Sequence, residues 1–146
     1  MMTVTHATFS IERRYDNEPA RVFAAWADPA AKARWFAAGD GAHELDFRVG
    51  GRELNHARRQ DGPDLTYESW YRDIVRDERI VYTSTLYAGK DVATVSLTTV
   101  EFSPEAGGTR LVLTEQGTFL DGREDPSWRE QGTNDWLDSI GAELKR

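Results

Sequence analysis

The chain contains no cysteine, which excludes disulfides, thiolate metal sites and cysteine nucleophiles and is compatible with a reducing compartment. Histidine is nearly as scarce: His6, His43 and His56 are the only three, and they fall in separate segments without ligand spacing. No metal site and no cofactor are expected. Long apolar runs are missing as well. The longest, Val22 to Ala27, is far below a membrane span, and the opening MMTVTHATFS has no basic region followed by an apolar stretch. These absences predict a soluble, cytoplasmic protein with no membrane partner. Basic residues are outnumbered, 18 Lys+Arg against 25 Asp+Glu for a formal net charge of -7, and they occur in ones and twos. A chain without a basic stripe is a poor fit to nucleic acid or an anionic membrane. A nucleophile elbow, a phosphate-cradling glycine loop and a nucleotide fingerprint are also missing.

What is present is most simply one domain spanning residues 1–146, large enough to bury roughly two-thirds of its unfolded surface. TVTHATFSIERRY alternates with Phe9, Ile11, Arg13 and Tyr15 on one face, a strand by period two. Pro19 opens a short helix with Val22, Phe23 and Trp26 on its apolar stripe, and Asp28-Pro29 ends it. Asp28 then caps a second short helix that runs to Trp35 and Phe36 before the glycine-rich AAGDGA at 37–42. Six strands follow in series with short links: HELDFRV, RELNHARR, LTYESWYRDIV, RIVYTSTLY, VATVSLTTVEF and TRLVLTEQGTF, with Gly50-Gly51 turning the first hairpin. Asp125 and Pro126 begin a last helix in which Trp128, Gly132, Trp136, Ile140 and Leu144 recur every fourth residue. The predicted fold is α+β, a curved seven-stranded antiparallel sheet wrapped around one long C-terminal helix. A twisted sheet is concave, and one helix cannot fill all of the concavity, so a cavity between the two is expected.

The residues that carry a resemblance are IERRYDNEPARVFAAWADPAAKARWF at 11–36, VGGRE at 49–53, DERIVYT at 77–83 and LTEQGTFLDG at 113–122. Through them the chain resembles the START-like (SRPBCC, Bet v 1-like) helix-grip superfamily. Its nearest likeness there is the bacterial branch grouped with the activator of the ninety-kilodalton heat-shock chaperone ATPase and labelled polyketide cyclase-like. The resemblance implies the fold and a ligand cavity; it carries no shared catalytic set.

Site residues are therefore read one at a time. Leu111 and Leu113 fix the inward face of the last strand, and period two puts Glu115 on it. If the preceding hairpin closes through SPEAGG, Ser96 lies opposite Glu115 and Thr98 opposite Leu113. Glu115 then either meets a ligand or is satisfied by Ser96, Arg13 or water. With Leu54 inward, His56 faces Glu115 across the groove, a pair suited to proton transfer; the plainer reading is a partly exposed strand histidine among Arg52, Arg58 and Arg59. Trp35 and Phe36 are placed at the cavity mouth, Trp70, Tyr71 and Tyr82 on central strands, and Phe119 before the Asp121-Gly122 turn. Tyr71 and Ile74 are read as inward across a bulge. Trp128 and Trp136 line the covering helix, with Gly132 between them leaving either open space or a close backbone approach.

The function these features suggest is binding of a small, largely apolar or amphipathic molecule. The alternative is a cyclase or dehydratase using Glu115, alone or with His56, as its acid-base group. A chaperone co-regulator, suggested by the family label alone, ranks third because no additional chaperone-binding domain is recognisable. Two copies pairing along the exposed edge of the first strand, or through the long strand hairpins, would give a homodimer.

Overall fold

The computed structural model describes residues 2–37 and 42–146. β1 (Val4–Tyr15) alternates as its sequence demands, with Phe9, Ile11, Arg13 and Tyr15 on the covered face. Pro19 starts α1 (Pro19–Ala27), which buries Val22, Phe23, Ala25 and Trp26. Asp28 is extended and ends that helix, and its carboxylate accepts from the Ala31 amide at 3.1 Å to cap α2 (Pro29–Phe36). The glycine-rich stop expected after α2 lies, for residues 38–41, outside the described residues.

The remaining strands are β2 (His43–Leu45), β3 (Arg52–Ala57), β4 (Leu65–Val75), β5 (Arg79–Ala88), β6 (Asp91–Glu105) and β7 (Gly108–Leu120). Among the described residues they form one seven-stranded sheet in the order β1-β7-β6-β5-β4-β3-β2, antiparallel throughout. HELDFRV was expected to be strand throughout, but only its first three residues are. Backbone hydrogen bonds from Arg48 to Asp46 and from Gly51 to Arg48 fold the rest into a turn, with Gly50 at φ 84°. In β4 a bulge between Tyr71 and Asp73 keeps Tyr67, Ser69 and Tyr71 buried and leaves Ile74 packed against the core. Trp70 takes the opposite face and is 38% exposed, so it is no part of the interior.

The β6–β7 hairpin corrects the expected pairing. The ladder continues through Pro104↔Thr109 and Glu105↔Gly108, so the turn is only Ala106-Gly107, both at positive φ (49° and 83°). Glu115 therefore sits opposite Thr98, and Ser96 opposite Gly117.

The sheet curls around α3 (Pro126–Glu143), capped by Asp125, whose carboxylate accepts from the Ser127 amide at 2.8 Å. Its buried line is Arg129, Thr133, Leu137 and Ile140. The fourfold stripe read from the sequence drifts instead: four residues turn a helix by about 40° more than a full circle. Ile140 is therefore buried, Trp136 half-buried and Trp128 66% exposed. Arg129 and Thr133 each fall within about 20° of Ile140 and share its face.

Candidate functional site

Of the spaces between α3 and the sheet among the described residues, the widest, about 540 Å³, lies against β1 at Arg13, Tyr15, Asp138 and Gly141, and two others meet at Tyr67 and Trp136. The larger of these two, about 200 Å³, is walled on the helix side by Trp128, Gly132 and Trp136. Strands β3, β4 and β5 supply Ala57, Leu65, Tyr67 and Leu86, and the polar groups at its wall are Asn55, Glu124 and Arg129. The smaller, about 10 Å³, lies among Trp35, Phe36, Tyr82, Leu113 and Glu115 and is in effect filled by them. Tyr67 and Trp136 wall both spaces, their rings 6.1 Å apart, and so form the partition between them.

At that partition three charges meet. Glu115 accepts from the Thr98 hydroxyl at 3.1 Å through Oε1 and from Arg129 Nη1 at 3.1 Å through Oε2. Arg129 Nε donates to both oxygens of Glu124 at 3.2 Å; Nη2 lies 3.0 Å from Glu124 Oε1 without the alignment of a hydrogen bond. Thr94 holds Glu124 from the sheet side, its hydroxyl 2.6 Å from Oε1. Arg129 also lies over the Tyr67 ring, 5.4 Å from its centroid. Burial pushes the Glu115 carboxyl above its ordinary range, against the pull of the Arg129 guanidinium and the Thr98 hydroxyl. Burial likewise pushes the Tyr67 phenol up to about 12. Ser96, between Thr94 and Thr98 on β6, keeps a buried hydroxyl without a partner among the described residues.

A second polar cluster lies beneath α2. Lys32 Nζ is 2.9 Å from Glu53 Oε1 and sits 4.5 Å from the Phe36 ring centre. Tyr71 donates to the same oxygen at 3.2 Å, and His43 Nε2 lies 2.9 Å from Oε2. Burial works against the Glu53 carboxylate, but Lys32 and His43 outweigh it and hold the group below its ordinary range. Among the described residues, no group of three or more His, Asp and Glu could hold a metal ion.

These positions sort the residues picked out in the sequence. Trp128, Gly132 and Trp136 wall the space of about 200 Å³. Trp35, Phe36, Tyr82, Leu113 and Glu115 surround the filled one. Tyr71 is turned to Glu53, Thr98 to Glu115, and the Phe119 ring covers Gly117, where an added Cβ would come within 2.8 Å of it. His56 does not face Glu115. It is exposed on the outer face and paired with the Thr66 hydroxyl at 2.9 Å, because the inward parity of β3 belongs to Glu53 and not to Leu54. Arg13, considered as a partner of Glu115, instead donates to Asn134 at 2.7 Å. The alternative of a close backbone approach at Gly132 also fails, since a Cβ built there meets nothing within 4 Å.

Arg129, Glu124, Tyr67 and Asn55 escaped the sequence reading. Arg129 carried one usable signal, its place eleven residues before Ile140, which returns a helix to nearly the same face. Glu124 sits in the link before α3 and carried none.

Comparison with known proteins follows this geometry. The sequence pattern of the family described as Activator of Hsp90 ATPase homolog 1-like protein matches residues 16–145. Among solved structures, the Mll3558 protein from Rhizobium loti is 45% identical, covers 97% of this chain and 99% of its own, and superposes with a TM-score of 0.91. A putative uncharacterized protein from Rhizobium leguminosarum is 42% identical over 100% of this chain and 99% of its own, TM-score 0.92. CalU16 from Micromonospora echinospora, 20% identical over 99% of this chain and 85% of its own with a TM-score of 0.66, shares the fold alone. No curated protein matches the chain.

Proposed function

The chain belongs to the Activator of Hsp90 ATPase homolog 1-like family of the helix-grip superfamily, and from that premise we propose that it binds one small, largely apolar or amphipathic molecule between α3 and the sheet. The observation that carries this reading is the room beside Gly132. A glycine inside a helix costs about 1 kcal/mol relative to alanine, yet no neighbour here requires it, since an added Cβ would meet open space. The bare backbone contributes volume to a cavity of about 200 Å³ with mostly apolar walls. An apolar cavity of about 150 Å³ accepts a benzene-sized guest, so this one suits a single ring or a fused pair.

The proton-transfer alternative loses its proposed pair, because His56 is on the outer face and Glu115 is held by Arg129 and Thr98. The chaperone reading rests on the family description and gains nothing from the geometry of the cavity.

Filling the cavity tests the proposal. Gly132→Leu places a side chain in the open room and improves helix propensity, so the variant is expected to fold. Native mass spectrometry of protein from its own host is expected to show a small-molecule adduct on the unsubstituted chain and none on Gly132→Leu. A folded protein without an adduct and without stabilisation by any aromatic probe would overturn the reading.

A further inference from the structure

We infer that the ligand is a cationic amphiphile, a protonated amine carried on one or two flat rings, with its ammonium group at Glu124 and its rings against Trp128 and Trp136. The inference rests on the reading of the cavity as a ligand site and adds the charge of the occupant.

Three observations converge on it. First, two carboxylates share one guanidinium, so the Glu115–Arg129–Glu124 cluster carries an unbalanced negative charge whenever both carboxylates are ionised. Each carboxylate accepts at about four lone-pair positions, more than the bonds from Thr94, Thr98 and Arg129 use. Arg129 Nη2 makes no aligned hydrogen bond, but it is buried 3.0 Å from Glu124 Oε1. All three Arg129 nitrogens lie against carboxylate oxygens, so its charge is not offered to an anion.

Second, of the three charged groups it is the Glu124 carboxylate that is most open at the cavity wall. The Glu124 side chain is 15% exposed and lines the space, whereas Arg129 and Glu115 are 3% and 5% exposed. The Thr94 hydroxyl fixes that carboxylate from behind, leaving Oε2 with a single 3.2 Å contact from Arg129 Nε.

Third, the walls are aromatic, and an aromatic ring carries its electron density on its face. Trp128 and Trp136 are eight residues apart, about 12 Å along the axis, with bare Gly132 midway and Tyr67 across. Aromatic walls beside a carboxylate favour an ammonium group over an uncharged group of the same shape, more so where water is partly excluded. A ligand carboxylate in the same place would face Glu124 directly.

Three probes that share one indole ring separate the possibilities: tryptamine, neutral 3-ethylindole and indole-3-propionate, titrated by calorimetry into the intact chain. Tryptamine is expected to bind about tenfold or more tightly than 3-ethylindole, and indole-3-propionate more weakly than either. Glu124→Gln is expected to lower the affinity for tryptamine to about that for 3-ethylindole measured on the same variant, erasing the preference for the amine. Equal affinities for amine and neutral probe, or tightest binding of the acid, would overturn the inference and leave the cavity reading standing. Binding of none of the three, with Gly132→Leu indistinguishable from the unsubstituted chain in native mass spectrometry, would overturn both. The ranking on the unsubstituted protein decides the matter even if Glu124→Gln fails to fold.

Discussion

Arg129 is the residue on which the interior charges depend, since Glu115 and Glu124 both close on it and it is itself buried. Removing one partner of a buried ion pair strands the other in a medium that solvates it badly, a loss of about 3–5 kcal/mol. Arg129→Met is therefore expected to lose about that much stability in urea denaturation, with Glu115→Gln losing less because the amide oxygen still accepts from Arg129 while the amide NH2 can donate to the Thr98 hydroxyl. The pH dependence has a definite sign. Burial raises the folded-state value of Glu115 above its ordinary 4.5, so the folded protein binds that proton more tightly than the unfolded chain. The stability this contributes is full below the unfolded value and is lost as pH rises through the folded one. Stability of the unsubstituted chain relative to Glu115→Gln should accordingly fall as pH rises from below 4.5, and a rising difference would refute the assignment. The inward facing of Glu115 was legible because Leu111 and Leu113 fix its parity. Its partner was not, since an arginine on a helix is by default solvent-facing. His56 was misread for the converse reason: Leu54 looked like the inward residue of β3, and nothing local announced that Lys32 and His43 would compensate a buried Glu53.

At the scale of elements, helix ends were written plainly. Pro19, Asp28-Pro29 and Asp125-Pro126 start or cap the helices where the structure has them. The β6–β7 turn was not, because Pro104 reads as a loop residue. It stands in β6 beyond Glu101, the last residue paired to β5, where the strand has a neighbour only at β7 and a missing N–H is tolerated. The resulting two-residue turn forces Ala106 to φ 49°, a conformation that costs an ordinary L-residue about 1–2 kcal/mol. Ala106→Asn is expected to raise the thermal midpoint, with a gain of a few tenths to about 1 kcal/mol. In α3 the separate expectation is that Gly132→Ala also stabilises, by up to about 1 kcal/mol, since the added methyl meets no neighbour. Losing stability there would mean the helix backbone is already held close to the sheet.

For the molecule as a whole, the strand order and the covering helix could be read from periodicity, and the cavity followed from curvature. What could not be read is that two of the three helices packed on the sheet are held through ions in the interior: α3 through Arg129, and α2 through Lys32, whose Nζ is 2.9 Å from Glu53 with both side chains 2% exposed. Long-range pairs of this kind join residues with no periodic relation, so no sequence window contains them. They also separate two contributions that exposed pairs confuse. A buried pair is weakly screened by salt, so denaturation midpoints should respond little to added salt through this contact. Lys32→Met alone leaves Glu53 facing only His43 and Tyr71 and is expected to cost about 3–5 kcal/mol. Lys32→Met with Glu53→Leu removes both charges and keeps apolar volume beneath the Trp26, Trp35 and Phe36 rings that now surround Nζ. The double variant should therefore recover most of the loss, because replacing a buried pair with apolar groups of similar size is often neutral or better. A full double-mutant cycle in urea measures the coupling directly. Additive losses would mean that Lys32 and Glu53 stabilise the fold independently of each other, with no coupling through their ion pair.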